Sequence, residues 1–129
     1  MKNATDETAS YAWSINVLDI GIIEVKVEET CFLTQQEVEK GLDILKEICA
    51  HQKYPLLVDL NRLHGIPHAT RVFAIQETKH LFEAAAIISN SPIARLLACF
   101  FVAFSRSNPY PTRIFTNHKD ALDWLKSDL

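Results

Sequence analysis

The residues with the most chemical potential fall in one stretch, Asp59-Leu60-Asn61-Arg62-Leu63-His64-Gly65-Ile66-Pro67-His68-Ala69-Thr70. An acid, an arginine and two histidines so close together are the parts of an acid/base pair or of a metal site. The sharpest reading is a hydrolase or metal enzyme built on Asp59, His64 and His68. Gly65 and Pro67 stand between the histidines, so the two cannot act as an i, i+4 ligand pair on one helix. No third ligand is fixed by spacing, and His51, His80 and His118 add none. The expectation is no metal and no catalytic residue.

Nucleophilic chemistry has less to build on. No Gly-x-Ser-x-Gly turn is present, and no Ser or Cys falls in an interpretable constellation. Cys49 and Cys99 fall on apolar faces of expected helices, where burial makes a thiol inert. The chain has only 3 glycines, so a phosphate-cradling loop is not expected, and neither is any cofactor.

These residues must be positioned by a fold, and the 129 residues suit one domain. At 48% hydrophobic and 22% charged, the chain can bury an ordinary core without metals or disulfides. Its 13 basic and 16 acidic residues give a net charge of −3. A mildly acidic chain with scattered cations offers no field for a phosphate backbone, so nucleic acid is not an expected partner. Three widely spaced cysteines among apolar neighbours suit a reducing, cytoplasmic setting. The polar start, Met1 to Glu7, has no apolar signal segment, and no run is long enough to span a bilayer.

The first ten residues are expected to be a flexible polar tail, with the domain over 11–129. Trp13, Ile15 and Val17, then Ile23, Val25 and Val27, alternate with polar residues around Asp19-Ile20-Gly21. That is a hairpin of half-buried strands. Thr34-Gln35-Gln36-Glu37 has capping-box spacing, and Val38, Leu42, Leu45 and Cys49 follow on one helical face. Pro55 to Leu60 is apolar without alternation, as in a strand covered on both faces. A helix is expected from Pro67 or His68 toward Phe82, burying Val72, Ile75 and Phe82, then a strand over Ala84–Ser89. Ser91-Pro92 opens another helix, whose stretch from Ile93 to Phe104 is apolar nearly all round. Phe100 and Phe101 in it, and Tyr110 in the turn Asn108-Pro109-Tyr110-Pro111, are candidates for an interface or an apolar pocket. A last strand over Thr112–Thr116 leads to a helix capped by Asn117 and burying Ala121, Trp124 and Leu125. Such alternation of strand and helix makes a layered α/β sheet.

With this order of elements, Val58-Asp59-Leu60 ends the central strand, and Ser91-Pro92-Ile93-Ala94-Arg95-Leu96 opens the helix after the next. In these features the chain resembles the STAS domains, the SpoIIAA-like fold of the anti-sigma-factor antagonists. Ser91-Pro92, Pro111-Thr112-Arg113-Ile114-Phe115-Thr116 and Ala121-Leu122-Asp123-Trp124-Leu125 resemble an uncharacterised STAS-like bacterial group. The resemblance covers about residues 11–128 and implies a mixed sheet of about five strands with about four helices.

It also implies a non-enzymatic regulatory or scaffolding domain that acts by binding proteins, with a homodimer among the candidates. The partner-facing loop would hold Asn61, Arg62, His64, His68 and Thr70. In such antagonists an Asp-Ser-Ser-Gly-like stretch ends this loop, and a partner kinase phosphorylates a serine there. Pro67-His68-Ala69-Thr70 stands at that place, with no acid and no serine, and Thr70 is the nearest hydroxyl. The alternative to a protein-binding domain is a small apolar-ligand or lipid-binding protein, suggested by the apolar 93–104 helix. The histidine-dependent enzyme comes third.

Overall fold

The computed structural model describes residues 13–27, 31–32, 34–65, 67–92, 95–96, 99 and 110–127. Alternating apolar residues pair Trp13–Val17 (β1) with Ile23–Val27 (β2) as an antiparallel hairpin, Ile15 opposite Val25. Its turn closes with the Leu18 amide donating to the Ile22 carbonyl at 2.8 Å. Gly21 sits there at φ +81°, a conformation that costs glycine nothing.

After a two-residue strand, Cys31–Phe32 (β3), comes the helix Gln35–Ile48 (α1). Thr34 starts it with the expected capping box. Its hydroxyl accepts from the Glu37 amide, and the Glu37 carboxylate accepts from the Thr34 amide. Val38, Leu42 and Leu45 face the core as the spacing predicts.

Tyr54–Asp59 (β4) is the central strand, and Leu63–Gly65 (β5) a short one beyond it. His68–Glu77 (α2) and Phe82–Ile88 (β6) follow. Thr112–Phe115 (β7) and His118–Ser127 (α3) complete the described elements. The main sheet runs β1-β2-β4-β6-β7, with β1 antiparallel and the other four strands parallel. The expected mixed sheet of about five strands is therefore present.

Both faces of β4 are covered, which explains its unbroken apolar run. Leu56 and Val58 join Ile15, Ile23, Leu42, Leu45 and Ile87 on one face. Leu57 joins Ile22, Ala84, Ala86, Ala121 and Leu125 on the other. On this second face, Ala84 and Ala86 of β6 leave room for close helix approach, and α3 packs there through Ala121 and Leu125. The register of β6 shifts beside β4, with Tyr54 opposite Phe82 but Pro55 opposite Ala84. That bulge sits where Pro55, lacking an N–H, enters a central strand.

The structure corrects several expectations. The helix α2 stops at Glu77, and Phe82 belongs to β6. Thr78 closes its last turn, because both its amide and its hydroxyl donate to the carbonyls of Ala74 and Ile75. Val72 is only half-buried, and Ile75 and Thr70 are the buried residues of this helix. Val17, expected to face inward, is 48% exposed at the turn end of the hairpin.

The pair β3 and β5 forms a second, two-stranded parallel sheet that the sequence reading did not foresee. Among the described residues three helices have defined bounds, one fewer than about four. Pro92, Arg95, Leu96 and Cys99 have helical backbone where the further helix was expected. Cys99, expected on a buried face, is exposed, as are its helical neighbours Arg95 and Leu96. The initial ten-residue tail, Phe100 and Phe101 lie outside the described residues.

Leu57 is fully buried at the centre of the α3 face, and truncation there leaves a cavity that the sheet cannot close. Leu57→Ala should lower unfolding free energy by about 2–5 kcal/mol in urea denaturation. Val17→Ala, at a half-exposed strand end, should cost well under about 1 kcal/mol.

Candidate functional site

Parallel strands share a carboxyl edge, and here β2, β4, β6 and β7 all end on it. The loops that leave this edge hold the candidate residues. Asp59 closes β4 and accepts the Asn61 amide on its Oδ1 at 3.0 Å, an Asx turn that reverses the chain. Leu63 donates to the Leu60 carbonyl at 3.0 Å, and β5 begins there. The loop is therefore built backbone, with Asn61 half-buried and Arg62 exposed. His64 lies in β5.

Further bonds join this loop to neighbouring strand ends. Asn61 Oδ1 accepts from the Asn90 amide at 2.7 Å, and Asn90 Nδ2 donates to the Thr116 carbonyl at 3.3 Å. Beneath them, Leu60 donates to Ile88 at 3.1 Å and Ser89 to Phe115 at 2.9 Å. One hydrogen-bonded seam thus crosses the ends of β4, β6 and β7.

The first turn of α2 lies beyond the loop. Pro67 is its N-cap and supplies no side-chain bond, whereas α1 has its capping box and Asn117 accepts from Asp120 at 2.8 Å. His68 and Arg71 are neighbours on this turn, with His68 Nδ1 and Arg71 Nη2 at 3.3 Å. A guanidinium only donates, so Nδ1 is the acceptor of that contact.

Thr70 points the other way. It is 2% exposed, and its hydroxyl donates to Gln35 Oε1 at 2.8 Å. The Gln35 amide nitrogen in turn donates to Glu39 Oε2 at 3.1 Å. Thr70 is therefore a clamp between the first turns of α1 and α2. The Lys46–Glu77 ion pair ties the same two helices at their other ends.

Of the residues expected in the loop, Asn61 and Arg62 lie in the turn after β4, His64 falls in β5, His68 is exposed at the start of α2, and Thr70 is buried in that helix's first turn. Tyr110 does not join them. It is 9% exposed and packs edge-to-face on Phe82, the first residue of β6, with ring centroids 6.0 Å apart. That places it in the core near the opposite edge of the sheet. Burial pushes its phenol pKa up, opposed by a hydrogen bond with Thr78.

The sequence reading missed Asn90 and Gln35 as loop-holding residues. The Asp59-x-Asn61 spacing signals the Asx turn, but pairing of Asn61 with Asn90 appears only once β4 and β6 are adjacent. Among the described residues, no group of three or more His, Cys, Asp or Glu side chains is placed to hold a metal ion. No helix among them is long and apolar enough to cross a membrane.

Residues 17–128 match the family described as a domain of unknown function, DUF7793. Two solved structures share the fold. One is an uncharacterised protein of the DUF3478 family with a SpoIIAA-like fold from Shewanella loihica. It is 21% identical over 88% of this chain and 92% of its own, with a TM-score of 0.67. The other is an anti-sigma factor antagonist from Mycobacterium paratuberculosis, 13% identical over 88% of this chain and 92% of its own, with a TM-score of 0.64. The SpoIIAA-like fold expected from the sequence is thus the fold of this chain. No curated protein matches it.

The two described thiols differ in setting, and this gives a pH-dependent test. Desolvation raises the Cys49 pKa to about 11, whereas Cys99 is exposed. In a Cys31→Ser background at pH 8, a thiol reagent should label Cys99 quickly and Cys49 slowly. Cys49 labelling should rise as pH climbs toward about 11. A raised thiol pKa favours the neutral form in the fold. Its stabilisation is therefore complete below the ordinary value of 9 and is lost as pH rises through about 11.

Proposed function

This chain belongs to the DUF7793 family, and we propose that it is a non-enzymatic regulatory domain of the cytoplasm that works by binding another protein. Its partner face is the carboxyl-edge loop with Asn61, Arg62 and His64 in it, and the first turn of α2 with His68; the exposed Arg62 and His68 are the residues that meet the partner. The observation that carries this reading is the loop itself. It is an ordered turn with exposed Arg62 and His68, on a fold shared with an anti-sigma factor antagonist.

Charge gives the partner a chemistry. From Leu60 to Arg71 the charged side chains are Arg62 and Arg71, joined by two histidines, with no carboxylate among them. The Asp59 carboxylate accepts the Asn61 amide. Exposed carboxylates on a partner would be attracted to this rim, and their contact would weaken with salt.

Thr70 supports this face from beneath rather than switching it. A kinase needs a hydroxyl that it can reach, and this one is buried and donates to Gln35. The binding is accordingly constitutive with respect to Thr70.

Affinity capture with the immobilised full chain, quantified by mass spectrometry, tests the reading. Proteins enriched by the wild type should be lost with Arg62→Glu and His68→Glu, and kept with Thr70→Val and the remote Lys119→Glu. Light scattering then distinguishes a second copy of this chain from a different protein. An identical captured set for wild type and Arg62→Glu would sink the proposal.

A further inference from the structure

The Asn90 amide lies one residue past the last ladder bond of β6, in which Ser89 donates to Phe115. With the strand ended, it has no ladder acceptor, and the Asn61 side chain takes that place at 2.7 Å. Asn61 is thereby held twice. Its backbone amide donates to Asp59 at the end of β4, and its side-chain oxygen receives Asn90 at the end of β6. The Asn90 side chain extends the hold to Thr116 at the end of β7.

The arrangement needs an acceptor at position 61 on a side chain short enough to stay near its own backbone. Asparagine and aspartate have that geometry, and alanine does not. Arg62, exposed, follows directly on this doubly held residue.

We propose that Asn61 and Asn90 form a latch that presets the partner loop, fixing where Arg62 stands before any partner arrives. This rests on the partner face proposed above. A preset loop loses less conformational freedom on binding, so the latch acts on affinity without touching the partner. Asn90 is here a positioning residue, and Asn61 acts through its Oδ1 as the latch itself.

Backbone hydrogen exchange of the full chain reads the latch directly, at the Asn90 amide. Losing one hydrogen bond of ordinary strength should speed exchange there about fivefold in Asn61→Ala. Asn61→Asp keeps the acceptor and should retain wild-type protection at Asn90. In the capture experiment, Asn61→Ala should lose partner.

Unchanged exchange at Asn90 in Asn61→Ala overturns the latch. So does equal loss of protection in Asn61→Ala and Asn61→Asp. The partner face fails separately: if protection behaves as expected but Arg62→Glu captures like wild type, the latch holds the loop and that loop is not the partner face. If Arg62→Glu loses the partner while Asn61→Ala leaves exchange unchanged, the face stands and the latch falls.

Discussion

The central strand β4 is hydrogen-bonded on both sides by parallel neighbours and is covered on both faces by apolar side chains. This arrangement determines much of the rest. Parallel neighbours need crossovers, and a crossover between adjacent parallel strands is right-handed in almost all proteins. Here the strands step in one direction, β2 to β4 to β6 to β7. Successive crossovers of one hand then fall on one face, where α1 and α2 pack together and are joined by Thr70–Gln35 and Lys46–Glu77. The other face is left for α3, which closes it with Ala121 and Leu125.

The same constraint gathers the loops. Each parallel strand ends at the carboxyl edge, so Asp59, Asn90 and Thr116 meet there although they are far apart in sequence. Polar side chains can bridge these ends because the loops leave the ladder with unmet backbone groups. The result is a rim whose shape is set by hydrogen bonds, from which Arg62 and His68 project. On the function proposed above, binding at this rim would rest on geometry and charge rather than on a reactive group.

Much of this was legible in the residues, for identifiable reasons. The capping box at Thr34, the alternation in β1 and β2 and the apolar run of β4 are local signals, and each appears where its pattern stands. The end of α2 is not marked locally, because Phe82 lies seven residues after Ile75 and the apolar spacing continues through the turn. Thr78 leaves helical geometry as the C-cap, its amide and hydroxyl closing the last turn on Ala74 and Ile75. The small β3–β5 sheet was unreadable for a different cause, since two and three residues carry no period. The position of the candidate loop was legible as polar residues after an apolar strand. That Thr70 turns inward while His68 faces out was not, because it depends on where α1 lies.

The rim around Arg62 is the surface proposed to meet a protein in the cell. The most direct measurement places a photo-crosslinking amino acid at position 62 of the full chain, with position 126 on exposed α3 as the control. Illumination in living cells should give a discrete adduct of defined mass from position 62 and none from position 126. No adduct from position 62, or the same adducts from both positions, would contradict the account.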